Sequence, residues 1–423
     1  MRLTHPSGDE PIDLSTVDLF DPAVHAKGDP HAVWLAMRTH EPVHWQQVRP
    51  GLGFWSVTTH ADVATVLRDH TAFTSEHGTL LNLLGRKDPA GGRQLPATDP
   101  PRHTRMRSPI RRALAGGVVA EHRATIREEV HGLLTRVVDG EPFDFAALTD
   151  QLPMAVMGTL MGLPRDTWAH LTRLTAQAVA PDDPDLVGPG GAQATLDRAH
   201  RELFASLHEA LTRREDTGTT DLVDALRAVG VEDGEPLGAA EIVANCYSLL
   251  LGANVTTPQV PNAALVELTA SGTYADWADH PDLLDGGIEE ALRWSSPASH
   301  FIRYATRDVR LGETTIGKGE AVAAWLGSAN RDATVFPDPF TFDIRRDAGR
   351  HLALGVGPHY CLGHALVRTT LEEFFAELFL QFSHFEAAGE PAHLHSNFIN
   401  GIKHLPVVGT RRIPGNTSAS GCR

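Results

Sequence analysis

Three cysteines in 423 residues are too few for a disulfide framework, so the chain reads as one made for a reducing compartment. No apolar run approaches the roughly 20 residues that span a bilayer. The first ten residues lack a basic start and an apolar core, so no signal peptide is read there. A cytoplasmic protein is expected. Positive charge is also scarce, with 37 basic against 53 acidic residues and a formal net charge of -16. That argues against nucleic acid as a general partner, because the phosphate backbone demands a basic footprint. No repeat and no linker interrupts the sequence. Residues 1–410 are therefore expected to form one domain, followed by a Ser- and Gly-rich disordered tail over 411–423. A hydrophobic share of 42% is ample for a large core.

What is present is mostly helical in pattern. Val43–Gln46 and Gly53–Thr58 predict a strand pair around the Pro50-Gly51 turn, and Ala61–Asp69 a helix. From Phe73 to Pro101 there is no period, and a loop that long inside a compact domain is usually functional. Within it, Leu80–Leu84 offer apolar side chains to a pocket. Helical spacing then covers His103–Leu114, Ala120–Val138, Phe145–Met161, Arg165–Ala178, Gln193–Arg213, Asp221–Ala228 and Ala239–Ala270. The Pro- and Gly-rich stretch 181–191 reads as a lid between two helices. Short strands follow at Val309–Leu311 and Ala321–Trp325, then an irregular stretch over 330–346, a helix from Ala365 to Phe382 and a hairpin from Phe398 to Val408. The fold class is mainly α with small β-sheets, α+β.

One segment carries chemistry. Residues 351–368 read His-Leu-Ala-Leu-Gly-Val-Gly-Pro-His-Tyr-Cys-Leu-Gly-His-Ala-Leu-Val-Arg. Cys361 sits between glycines and just before a helix start, where backbone N–H groups favour a thiolate. A lone thiolate from such a loop is one way of holding haem iron. A zinc site from His359, Cys361 and His364 and a simple buried thiol compete with that reading.

The segment resembles the haem-binding signature of the cytochrome P-450 monooxygenases, Phe-Gly-x-Gly-x-His-x-Cys-x-Gly, with Leu354 in place of the phenylalanine. The resemblance implies the cytochrome P-450 fold with a long central helix crossing the haem. It implies Cys361 as the axial iron ligand, with Gly355 and Gly363 admitting the porphyrin. Glu290 and Arg293, at i, i+3 on a predicted helix, match the family's Glu-x-x-Arg pair, a structural lock on the stretch before the haem loop. The lock's third partner falls on Thr341. His103 and Arg107, at i, i+4 after Asp99-Pro-Pro, match a propionate-binding pattern, and Arg303 and His359 are propionate donors by the same resemblance.

Residues 249–257 are similar to the family's oxygen-binding groove. Gly252 and Ala253 are small enough for close approach to a porphyrin, and Thr256 aligns with the alcohol that helps protonate dioxygen. The acid that usually precedes it is Val255 here. Pro258 and Pro261 remove backbone donors and kink the helix, so Asn254, Thr256 and a freed carbonyl are expected to relay protons instead. Substrate contacts implied by the resemblance are Leu81, Leu84, Leu250, Ala298, Phe301 and Phe398, with His300 and the asparagines at 397 and 400 adding polar recognition.

No flavin or nicotinamide segment is read. Electrons are therefore expected from external NAD(P)H through a reductase and an acidic ferredoxin docking on Arg105, Arg111 and Arg112. The cofactor implied is haem b, with dioxygen as co-substrate. The activity implied is insertion of one oxygen atom into a C–H bond of a mid-sized natural-product intermediate, by a monomer with no membrane partner. Atypical oxidation (coupling, nitration, peroxide-driven chemistry), a carrier-protein-bound substrate, or a non-catalytic haem sensor are the other readings.

Overall fold

The structure is a computed structural model that describes residues 12–27, 30–213, 222–230 and 236–413. Residues 414–423, most of the expected tail, lie outside the described residues, while Pro406–Arg411 is a strand.

A helical body and a sheet-rich side share the core. The largest apolar cluster joins most of the helices, and the strands near Val57 and Val322 build a second one. The five-stranded sheet runs in the order Val43–Arg49, Leu52–Val57, Ala321–Trp325, His300–Ala305 and Phe73–Thr74. Only the second and third strands pair in parallel, with Trp55 opposite Val322. The expected first hairpin is there, Val43 facing Val57.

The expected terminal hairpin is not. Ile402–His404 pairs with Ala392–His393, whereas Pro406–Arg411 pairs with Phe382–Ala387 and Pro142–Asp144. The stretch read as one hairpin holds two strands that pair with different neighbours. The lid stretch is also fastened: Lys403 Nζ reaches Asp183 Oδ1 at 2.8 Å and Asp185 Oδ2 at 2.7 Å.

The central helix runs from Ala239 to Thr256 and spans ~27 Å. At its start the Gly238 N–H donates to Glu241 Oε2 at 3.0 Å, and Glu241 places an acid in the first turn. The expected single run to Ala270 is broken at Thr257-Pro258, and a second helix continues over Gln259–Ser271. Pro258 cannot donate to the Asn254 carbonyl, and the turn tightens so that the Val260 N–H donates to the Thr257 carbonyl at 3.3 Å. The second segment is then pinned by its amides. Gln259 Oε1 accepts from the Ile402 N–H at 2.8 Å, and Asn262 Oδ1 from Thr149 Oγ1 at 2.8 Å.

Among the described residues no helix is long and apolar enough to cross a membrane.

Candidate active site

Cys361 lies in a tight loop just ahead of the His364–Gln381 helix. Its N–H donates to the Leu354 carbonyl at 2.7 Å, closing the loop on itself. Gly355 and Gly357 take φ of 69° and 78°, the left-handed region that favours glycine. At Gly357 a Cβ would stand 2.8 Å from Arg68 Cα, because the loop is pressed onto the end of the His60–Arg68 helix.

The loop and the central helix both line a cavity of about 920 Å³. Leu354, Gly355, Cys361 and Gly363 come to it from the loop; Gly252, Ala253, Val255 and Thr256 come from the helix. No protein atom lies within 4 Å of where a Cβ would stand at Gly252 or Gly363. Side chains there would project into the space a flat cofactor needs.

Basic side chains gather along this cavity. The His103 and His359 rings lie with centroids 4.3 Å apart, tilted by 50°, and Arg107 and Arg303 also line the cavity. Burial and the neighbouring guanidinium groups push His103 down to about 4 and His359 down to about 2. Burial likewise lowers Arg303 to about 10, against the pull of Asp99. His103 Nε2 is buried without a hydrogen-bond partner. The Arg303 guanidinium donates to its neighbour's carbonyl, Ile302 O, at 2.8 Å. Such a set lacks compensating negative charge, and two carboxylates on a bound group would supply it. Burial raises the Cys361 thiol, while the Gly363 N–H, Arg107 and Arg368 favour its thiolate. The Cys361 thiol, the open glycine faces and the guanidinium groups of Arg107 and Arg303 beside an unpartnered His103 together fit iron protoporphyrin. Among the described residues no group of three His, Cys, Asp or Glu side chains is placed to hold a metal, which removes the zinc reading.

Glu290 and Arg293 are wholly buried and bonded twice, Arg293 Nε to Oε2 at 2.6 Å and Nη2 to Oε1 at 2.7 Å. Arg293 also donates to the carbonyls of Asn330, Pro339 and Thr341. Asn330 Oδ1 accepts from the Leu352 N–H at 2.7 Å, so the pair is joined through Asn330 to the start of the Cys361 loop. The expectation for Thr341 is corrected: it contributes its backbone carbonyl, and the second cation on Glu290 is Arg346, at 3.3 Å. Arg346 ends the irregular stretch, and only the tertiary fold brings it back to Glu290.

The neighbouring Glu289 ties both ends of the same loop. It accepts from Arg368 Nη2 at 3.0 Å and pairs with His351 Nε2 at 3.1 Å. Burial would raise its carboxyl, but the bonds from His351 and Arg368 outweigh that and hold it down at about 2, against an ordinary 4.5. A depressed carboxyl stabilises the fold above its unfolded pKa, and the contribution is lost as pH falls through the folded one. Glu289→Gln is expected to lower the denaturation midpoint at neutral pH. The gap from the parent protein should close progressively as pH drops from 4.5 toward 2. A gap that stays constant over that range would mean the charge contributes nothing.

Several expected contacts turn away from the cavity. Asn254 and Leu250 are on the opposite face of the central helix from Leu251, Gly252, Val255 and Thr256. They share with Cys246 a buried stripe at i, i+4 spacing. Asn254 Nδ2 points to Thr175 Oγ1 at 3.3 Å, so the expected relay through Asn254 is not formed. Leu81 and Leu84 are buried in the core near Trp34, and Leu80, Asn82 and Leu83 line the cavity in their place. In a short 3-10 turn, adjacent residues face different ways. His300 is a fastener, since its Nε2 accepts from the Leu81 N–H at 3.2 Å and its Nδ1 meets the Asn397 carbonyl at 3.2 Å. The Asn397 and Asn400 amides donate to the backbone carbonyls of Phe20 and Ser295. Ala298, Phe301 and Phe398 do line the cavity.

No motif or spacing pointed to Ser75, whose Oγ meets His359 Nε2 at 3.2 Å, or to a cavity-lining pair, His200 and Tyr247.

Residues 271–402 match the family model described as Cytochrome P450. The chain is 32% identical over 401 residues to cytochrome P450 NovI of Streptomyces niveus, covering 94% of this chain and 97% of that one. It is 30% identical over 402 residues to linalool 8-monooxygenase of Pseudomonas putida, covering 92% and 98%. The crystal structure of P450 OxyD, involved in the biosynthesis of vancomycin-type antibiotics, superposes with a TM-score of 0.83 at 32% identity, covering 94% of this chain and 100% of that one. With a cysteine loop, a facing helix and relatives that run nearly its whole length, the chain belongs to the cytochrome P450 family of haem-dependent monooxygenases.

Proposed function

We propose that this monooxygenase inserts one oxygen atom into a C–H bond of a mid-sized, largely apolar natural-product intermediate. The observation that carries the proposal is that Cys361 and Thr256 line the same cavity of about 920 Å³, which has room for an organic molecule. The relative named for linalool oxidation and the OxyD structure from antibiotic biosynthesis support that substrate class.

In this reading Cys361 holds the haem iron, and His103, Arg107, Arg303 and His359 hold its propionates. Bound haem supplies the dioxygen chemistry, consuming electrons and protons as one oxygen atom enters the substrate and the other leaves as water. The chain's own part is positioning and proton supply. Thr256 Oγ1 donates to the Gly252 carbonyl at 2.6 Å, which fixes the hydroxyl of a residue that lines the cavity. Val255 carries no proton, so in this reading water in the cavity supplies it and the Thr256 hydroxyl relays it; Thr257 also lines the cavity. Phe301, Phe398, Leu83 and Ala298 keep the substrate's surroundings apolar.

Arg111 and Arg112 are exposed at the end of the helix that carries His103 and Arg107. They suit an acidic ferredoxin docking to a monomeric, cytoplasmic enzyme. The valine at 255 favours a second reading, an atypical oxidation in which the substrate or a carrier-bound substrate supplies the missing acid.

The test is turnover with a ferredoxin and reductase supplied. The expected result is a product one oxygen heavier than the substrate, with Thr256→Ala diverting most electrons to peroxide. No thiolate-type band in the reduced carbon-monoxide spectrum overturns the haem role of Cys361. Unchanged coupling in Thr256→Ala overturns proton delivery through its hydroxyl.

A further inference from the structure

The cavity extends well beyond the space between Cys361 and Thr256. Its wall follows one face of the central helix back through Leu251, Tyr247, Ala244 and Ala240, at helical spacing. Tyr247 precedes Thr256 by nine positions, ~14 Å along the helix axis. Most of the cavity's lining is apolar, Val156, Met157 and Phe204 included.

A polar pair stands in that apolar wall. His200 comes from the neighbouring Gly191–Arg213 helix, and its Nε2 lies 3.1 Å from Tyr247 Oη. The rings meet edge-on, with centroids 5.6 Å apart at 83°. Phe204, one turn further on the same helix, stacks on the Tyr247 ring at 5.1 Å. The phenol is thus held from two sides. Burial raises the Tyr247 phenol and lowers the His200 imidazole, so both are neutral near pH 7.

One hydrogen bond does not exhaust such a pair. If the imidazole Nε2 carries the proton, it donates to the phenol oxygen, and the phenol O–H is free to donate into the cavity. In the other tautomer the phenol donates to Nε2 and keeps a lone pair that accepts. The pair can therefore meet either a carbonyl or a hydroxyl. A charged group would be buried against two neutral partners, which is unfavourable.

We propose that His200 and Tyr247 anchor the far end of the substrate by hydrogen-bonding a neutral oxygen group, a hydroxyl or carbonyl, ~14 Å along the helix from Thr256. This rests on the monooxygenase reading and deepens it. The substrate is an elongated molecule, apolar in its middle, oxidised at one end and held by an oxygen at the other. The anchor sets which carbon reaches the reactive end of the cavity.

The test uses the haem-loaded enzyme and imidazoles bearing alkyl tails of stepped length. The imidazole nitrogen ligates the iron and reports binding by a red shift of the Soret band, while the tail fills the cavity. Each hydroxyl-terminated tail is compared with its methyl-terminated counterpart of equal length. Short hydroxyl tails should bind more weakly than their counterparts, since an unpaired hydroxyl is buried. At the length that reaches Tyr247 the preference should reverse, to about three- to tenfold in favour of the hydroxyl. In Tyr247→Phe, which keeps the ring on Phe204, that ratio should show no maximum at any length, and His200→Leu should flatten it as well. A monotonic length profile, a maximum that survives in Tyr247→Phe, or a shift with imidazole itself but with none of the long tails overturns the anchor. No Soret shift with imidazole of any kind overturns the haem reading beneath it.

Discussion

Cys361→Ser is expected to lower oxygenation to below detection while the protein still unfolds cooperatively. The loop around position 361 is held by backbone bonds and two left-handed glycines, none of which involves the sulfur. A serine hydroxyl fits the same space but does not form the thiolate that sets the electronics of the iron. The Gly363 N–H, Arg107 and Arg368 that favour a thiolate would then face a neutral group. Haem content, the reduced carbon-monoxide spectrum and product formation read the change separately. A variant that still forms product at the parent rate would show that Cys361 is not the ligand on which the chemistry depends.

Glu290→Ala and Arg293→Ala are each expected to cost about 3–5 kcal/mol of stability, the range for removing one member of a buried ion pair. Both side chains are fully buried. Removing Arg293 strands a carboxylate that still faces Arg346 and the Asp343 N–H. Removing Glu290 leaves a guanidinium bonded only to carbonyls. The loss should also reach the haem site through Asn330, which bonds both Arg293 and the Leu352 N–H. Haem retention is therefore expected to fall along with the denaturation midpoint. The double variant should be less destabilised than the sum of the two, because the second change removes a charge already left alone. A loss under about 1 kcal/mol in either single variant would place the pair among ordinary exposed ion pairs.

Much of this was legible in the sequence because it is local. The Cys361 loop depends on glycines at fixed offsets and a helix that follows at once. Glu290 and Arg293 are one helical turn apart, as are His103 and Arg107, so spacing alone places each pair on one face. The second carboxylate partner, Arg346, was not legible, because its distance along the chain from Glu290 is bridged by an irregular stretch with no period to read. The same holds for Ser75 beside His359.

Substrate contacts were the least legible, for a geometric reason. On a helix a shift of one residue turns a side chain by ~100°. Leu250 and Asn254 therefore face the core, although Leu251 and Val255 face the cavity. Composition does not reveal that phase when both faces are apolar. His200 and Tyr247 carried no motif, and their meaning arises only where two helices cross.

The sequence by itself pointed to the haem cofactor, to Cys361 as its expected ligand and to the mainly helical class, since these rest on residues close in the chain. The tertiary structure alone decided which face of the central helix meets the cavity, where that helix breaks, and that a polar pair waits at its far end. Those are matters of rotation and of contact between distant segments, which no local pattern encodes.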